Sequence, residues 1–150
     1  MTDPGAAPAS LAVMTQPSSK YAALPAIWQY RFDFYDRYGA PSSPSARAAL
    51  ARLTLAPRLT MKVNVWGFLF AALYFFVKGM WRKGLTLLAI NLTIPLVLSA
   101  AEWPAALGQL GNLVTGVTAM LTANYAYYLH VVAHSRSWNP LEGLGRRIDV

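Results

Sequence analysis

Residues 84–133 read GLTLLAINLTIPLVLSAAEWPAALGQLGNLVTGVTAMLTANYAYYLHVVA. Glu102 is the only charged side chain in the stretch, and no Lys or Arg falls between Gly84 and Ser135. A helix needs about 20 apolar residues to cross the ~30 Å of bilayer hydrocarbon. Two such segments are present, 84–101 and about 107–133, joined by the short turn AEWPAA. The fold class that follows is an all-α membrane protein built on a C-terminal transmembrane hairpin.

Working outward, the flanks of the hairpin are basic. Lys78, Arg82 and Lys83 precede it; Arg136, Arg146 and Arg147 follow it. Basic residues stay cytoplasmic in multi-pass proteins. Both ends of the hairpin, and the 136–150 tail with the C-terminus, are therefore expected in the cytoplasm of a bacterial inner membrane, with Trp103-Pro104 outside. The composition agrees: 55% of the chain is hydrophobic and 13% charged, about half the charge of a soluble domain. The net charge of +7 is spread along hydrophobic flanks. It is not gathered on one face with interleaved aromatics, as in nucleic-acid binders, so the expected partners are the lipid bilayer and another protein, not nucleic acid.

Upstream lies a third apolar segment, Val63 to Val77, enclosed by Lys62 and Lys78. Its 15 residues reach only ~22 Å as a helix. It carries Trp66, Phe68, Phe70, Tyr74, Phe75 and Phe76, with Trp81 just beyond; Trp and Tyr favour membrane interfaces. If this segment spans, the seven basic residues from Lys20 to Lys62 sit outside. If it re-enters, every basic residue stays inside. Length and aromatic content favour re-entry over 63–81, hence two spans and one partial segment in preference to three.

The first 20 residues are rich in Ala, Pro, Gly and Ser and read as a disordered tail, without the basic start and apolar core of a signal peptide. Over 21–62 short amphipathic helices are expected. Leu24, Trp28, Phe32 and Tyr35 recur at helical spacing, and Gly39 and Pro41 supply a stop. Ser43 suits an N-cap and Pro44 a first helical position. That second helix is expected to run to about Leu55 and to be ended by Pro57.

Within the hairpin, Gly116, Ala119, Ala123, Ala126, His130 and Ala133 recur every three or four residues, a seam of small side chains that lets helices approach closely in lipid. The expected partner of the seam is the 84–101 helix, with a homo-oligomer as the alternative. Asn91 and Pro95 mark a membrane kink, since Pro95 cannot donate to the Asn91 carbonyl. Thr115, Thr118, Thr122 and Asn124 are the expected partners of the freed groups. His130 and His134, four apart, have the spacing of two ligands on one helix face, but a metal needs more ligands and none is placed to help. The chain has no Cys. No phosphate-cradling glycine loop and no convincing nucleophile–base set is present. No enzyme activity, metal or cofactor is expected.

Three blocks, WQYRFDFYDRYGAP (28–41), KVNVWGFLFAALYFFVKGMWRKGLTLL (62–88) and TANYAYYLHV (122–131), resemble the bacterial inner-membrane proteins grouped as domain of unknown function 2628. The pattern covers about residues 24 to 135. Arg31, Phe32, Phe34, Gly39, Asn64, Trp66, Phe68, Gly79, Met80, Trp81 and Gly84 stand at its positions. Leu73 departs from it, since the family often carries a Gly-Pro pair nearby; the departure implies a straighter segment here. The resemblance implies membership and a membrane hairpin, and it adds almost nothing about activity, because the family has none assigned.

The function expected from these features is a non-catalytic membrane adaptor. Trp28, Phe32, Tyr35, Trp66 and Trp81 are the candidate partner-binding residues. The alternatives are an inner-membrane immunity protein against a toxin, and an oligomeric channel or transporter subunit lined by Asn91 and the threonines.

Overall fold

The computed structural model describes residues 19–143, and regular structure there is entirely helical. A 3-10 turn, Ser19–Tyr21, leads into α1 (Ala26–Tyr38), α2 (Pro44–Arg52), α3 (Leu55–Lys62), α4 (Val65–Val77), α5 (Trp81–Ala100) and α6 (Ala105–Val131). The expected tail before Ser19, and Arg146 and Arg147, lie outside the described residues.

Local chemistry sets most boundaries. Pro25 at the N-cap delays α1 to Ala26, and Gly39, with φ 76°, ends it. Ser43 Oγ accepts from the Ala46 amide at 3.1 Å and Pro44 takes the first position of α2. Pro57 does not end that helix. It sits in the first turn of α3, where an amide has no helical acceptor to lose. The α3 helix was absent from the sequence reading. Arg58 on α3 closes α2 by donating to the carbonyls of Leu50, Ala51 and Leu53 at 2.7–2.9 Å, which a helix C-terminus leaves without partners.

The segment at 63–77 is not straight. Ala71 has φ 34° and ψ −109°, so α4 is two short helices meeting at a sharp break. Positive φ in a residue with a Cβ is strained, and Ala carries the smallest Cβ. Progress along α6 shows where the chain goes. The Asn64 amide donates to the Met120 carbonyl at 3.0 Å. Phe68 lies against Gly116, deeper in the bundle, and Gly79 then lies beside His130. The segment thus enters and leaves at the same end of α6 as a helical hairpin.

Among the described residues, two stretches are long and apolar enough to cross a bilayer, 55–77 and Trp81–Ala100. The first is interrupted at 63–64 and at Ala71, so it forms no continuous rod. Helix α6 has 27 residues, ~40 Å, with Gln109, Asn112 and Asn124 diluting its apolar character. It packs antiparallel to α5, Pro95 against Gly108 and Ile94 against Gly111. The small-residue seam faces mostly elsewhere. A methyl group on Gly67 of α4 would lie 3.0 Å from the Ala119 carbonyl oxygen and 3.2 Å from Ala123 Cβ. The seam's close partner is therefore α4, not α5 as expected, although Leu87 of α5 joins the same core. Ala133 lies beyond the last turn of α6 and is exposed, so the seam stops at His130.

Candidate functional site

Where α1, α3 and α4 meet the last turns of α6, polar and aromatic side chains converge. Asn64 caps α4, its Oδ1 accepting from the Gly67 amide at 3.0 Å. Its Nδ2 donates to Asn124 Oδ1 at 2.9 Å and to the Tyr74 hydroxyl at 2.8 Å. Asn124 Nδ2 in turn donates to the Met61 and Val63 carbonyls. Both amides are buried, and buried polar groups of this kind hold their surroundings to one arrangement when each is satisfied. The pair joins α6 to the α3–α4 corner and ties Tyr74, on the returning half of α4, to the residue that opens it.

Beside this node runs an open groove of about 660 Å³. Trp28 forms one wall. The Arg31 guanidinium lies 4.7 Å and the Lys78 ammonium 4.9 Å from its ring centre; Lys78 is also 4.6 Å from the Tyr127 ring. Arg31 donates through Nε and Nη2 to the Thr60 carbonyl at 3.1 and 2.8 Å. Burial lowers the pKa of Arg31. Burial, and then the Arg31 charge, lower that of Lys78. Among the described residues neither cation is ion-paired to a carboxylate. Ile27, Leu59, Val65 and Trp66 complete an apolar rim.

The other basic cluster is neutralised. Lys83 is fully buried, with Glu142 Oε2 at 2.8 Å. Ser135 Oγ donates to the same oxygen at 2.6 Å. The segment after α6 folds back to reach it. Arg82 donates to the Arg136 carbonyl, Thr86 to that of Trp138, and Trp81 meets Trp138 edge to face at 5.4 Å. Residues 136–143 are therefore packed against α5 and do not form a free tail. The Ser135 hydroxyl and the Lys83 amine thus converge on one carboxylate oxygen of Glu142.

Several site expectations change. Trp28, Phe32 and Tyr35 are core residues, from 0 to 7% exposed. They pack on Tyr125, Tyr127 and Tyr128 of α6 at 4.6–5.7 Å between ring centres, and do not form a partner-binding face. Trp66 and Trp81 are exposed. Among the described residues the Asn91 side chain makes no hydrogen bond to the threonines or Asn124, and its Oδ1 is buried without a hydrogen-bond partner. Thr115 and Thr122 bond to carbonyls four residues back in their own helix, and Asn124 is committed to Asn64. His134, at φ 50°, lies past the end of α6, so it does not share a helix face with His130. Arg31 and Lys78 are not among the expected site residues, and Asn124, expected to serve Asn91, pairs with Asn64 instead. The available signal was Arg31 itself, three residues from Trp28 and four from Tyr35 on the apolar side of α1.

Fold and groove define a small all-α protein in which a broken helical hairpin is held between a long helix pair and an aromatic cap. The chain belongs to the family described as "Protein of unknown function (DUF2628)", which matches residues 13–132. It is similar to the "Uncharacterized protein YigF" of Escherichia coli (strain K12), 36% identical over 69 residues, 43% of this chain and 55% of the relative. The proteins of the same description from Salmonella typhimurium and Salmonella typhi match to the same extent. The chain spans about half the length of these curated relatives. No solved structure matches it.

Proposed function

We propose that the chain is a non-catalytic accessory protein of the bacterial inner membrane. Helices α5 and α6 cross the bilayer, α4 dips in and returns, and α1 to α3 with residues 132–143 form a cytoplasmic cap. One observation carries this reading: only 17% of the apolar window in Trp81–Ala100 is buried within the fold. Leu92, Leu96 and Val97 on α5, and Leu110, Leu113 and Val114 on α6, are at least half exposed. A soluble monomer rarely leaves so large a contiguous apolar surface in water. With the expected aromatic face of α1 folded into the core, a protein partner would meet Trp66 or Trp81. Two crossing helices enclose no path by themselves, so a pore finds no support in a single copy.

The chain lacks Cys, which gives a clean background for topology. Ala105→Cys, at the start of α6, is expected to react with a membrane-impermeant maleimide in intact spheroplasts. Ala48→Cys on α2 is expected to react only after lysis. Release of the protein by alkaline carbonate, or labelling of Ala48→Cys from outside, would overturn the arrangement.

A further inference from the structure

The two basic clusters of the cap are built on opposite terms. Lys83 is buried and has its carboxylate, Glu142, at 2.8 Å. Arg31 is almost as buried and shares one indole with Lys78, yet no carboxylate is paired to either among the described residues. Arg31 spends Nε and Nη2 on one carbonyl and keeps Nη1 available. Two like charges partly removed from water repel, and an anion between them relieves both the repulsion and the lost hydration. Arg offers a planar fork and Lys a point charge, both suited to phosphate oxygens.

The rim narrows the anion. Ile27, Leu59, Val65 and Trp66 are 40, 48, 59 and 63% exposed, and Leu55 and Leu59 lie one turn apart on α3. A small hydrated anion gains nothing from such a rim. An anionic amphiphile matches both parts, with its phosphate on the cations and its chains along the apolar edge. The groove also opens where the chain passes from the cap into α4, at the depth of a headgroup if α4 enters the bilayer.

We propose that this groove seats the phosphate headgroup of an anionic phospholipid, with Arg31 and Lys78 on the phosphate and Val65 and Trp66 against the first part of an acyl chain. The site rests on the membrane reading above. Asn64 and Tyr74 hold the two halves of α4 in the position that shapes it, so lipid binding and the broken hairpin are coupled.

The test uses the full chain purified in a neutral detergent and supplied with phosphatidylglycerol, phosphatidylcholine or inorganic phosphate. Retained lipid is read by native mass spectrometry and stability by thermal unfolding. Phosphatidylglycerol is expected to be retained and to raise the midpoint, phosphatidylcholine and inorganic phosphate much less. Lys78→Gln is expected to weaken phosphatidylglycerol retention roughly fivefold, the effect of one basic residue near an anionic surface. Lys62→Gln, which removes an exposed charge outside the groove, is expected to change it little. Lys78 carries the test because Arg31 also supports the Thr60 carbonyl, so that its loss would confound binding with folding. Equal retention of the two lipids, equal stabilisation by inorganic phosphate, or equal effects of the two lysine variants would each overturn the site. Carbonate extraction separates the two failures: a protein that leaves the membrane sinks the membrane reading, whereas one that stays but shows no lipid preference sinks only the groove.

Discussion

The two halves of α6 are built by different rules. From Thr115 to Val131 the helix is wrapped by α4, α5 and the cap, and its buried positions are Thr, Gly, Ala, Asn and Tyr. From Ala105 to Val114 it touches little besides α5, only Gly108 is buried, and Leu110, Leu113 and Val114 point outward. In the bare half a small residue faces the neighbour and large apolar ones face away, the reverse of a helix in water. The wrapped half is held by named polar and aromatic contacts. The bare half rests on α5 in ordinary van der Waals contact at Gly108, with its outer surface left to the surroundings. Substitutions should therefore cost more in the wrapped half, where hydrogen bonds, charge and tight spacing all act, than in the bare one.

The largest effect is expected at the wrapped end, where the chain after α6 returns to α5. Glu142→Ala leaves Lys83 buried without its anion. Breaking such a pair from one side costs about 3–5 kcal/mol, and about 3 kcal/mol is expected here because Glu142 is 31% exposed. Adding Lys83→Met should recover most of the loss, since the uncompensated charge is what destabilises; unfolding in a fixed detergent measures both. A double variant as unstable as Glu142→Ala alone would show that packing, not charge, holds the return segment. The pair also sets a pH dependence. Burial alone would raise the Glu142 pKa, but hydrogen bonds from Lys83 and Ser135 and the Lys83 charge outweigh it and hold it below the usual carboxylate range. A lowered folded pKa means that the stabilisation is complete above the unfolded value and is lost as the pH falls through the folded one. The unfolding midpoint should fall in acid, and the Glu142→Ala variant should lack that component.

The same contrast explains what the sequence disclosed. The bare half and α5 were legible as long apolar helices from composition alone, because a run of apolar residues without charge needs no tertiary partner to be recognised as one. The caps were equally legible: Ser43, Pro44 and Gly39 act locally and need no tertiary partner. The wrapped half was harder. Trp28, Phe32 and Tyr35 show helical spacing whether they face water, lipid or protein, and only the tyrosines of α6, almost a hundred residues away in the chain, make them core. The Ala119–Ala123 seam was visible as a seam, but small residues do not say which helix they receive. Its partner became α4 because the break at Ala71 turns that segment back, and nothing in the composition around Leu73 marked the break. Asn64 and Asn124 illustrate the limit most clearly, since each is an ordinary helix-end or interface residue until the fold places them 2.9 Å apart.

The smaller effects sharpen the comparison by placing one substitution in both regions. At Gly67 an added methyl group meets the Ala119 carbonyl oxygen at 3.0 Å and Ala123 Cβ at 3.2 Å. Neither atom belongs to a flexible chain, so α4 must move off α6, disturbing Asn64 and the groove with it. Gly67→Ala is expected to destabilise by about 1–3 kcal/mol, the usual range for overpacking. At Gly108 the nearest atoms are Pro95 Cβ and Cα, at 3.4 and 3.5 Å, ordinary van der Waals contact. There the helix propensity of Ala over Gly, about 1 kcal/mol, meets little opposition, and Gly108→Ala should be neutral or stabilising by up to about 1 kcal/mol. Thermal unfolding of the two variants in one detergent makes the comparison direct. Opposite signs are the expected result. A loss at Gly108 as large as that at Gly67 would mean that α5 and α6 are pressed together as tightly at the bare end as α4 and α6 are at the wrapped one, and the division of α6 into two differently built halves would fail.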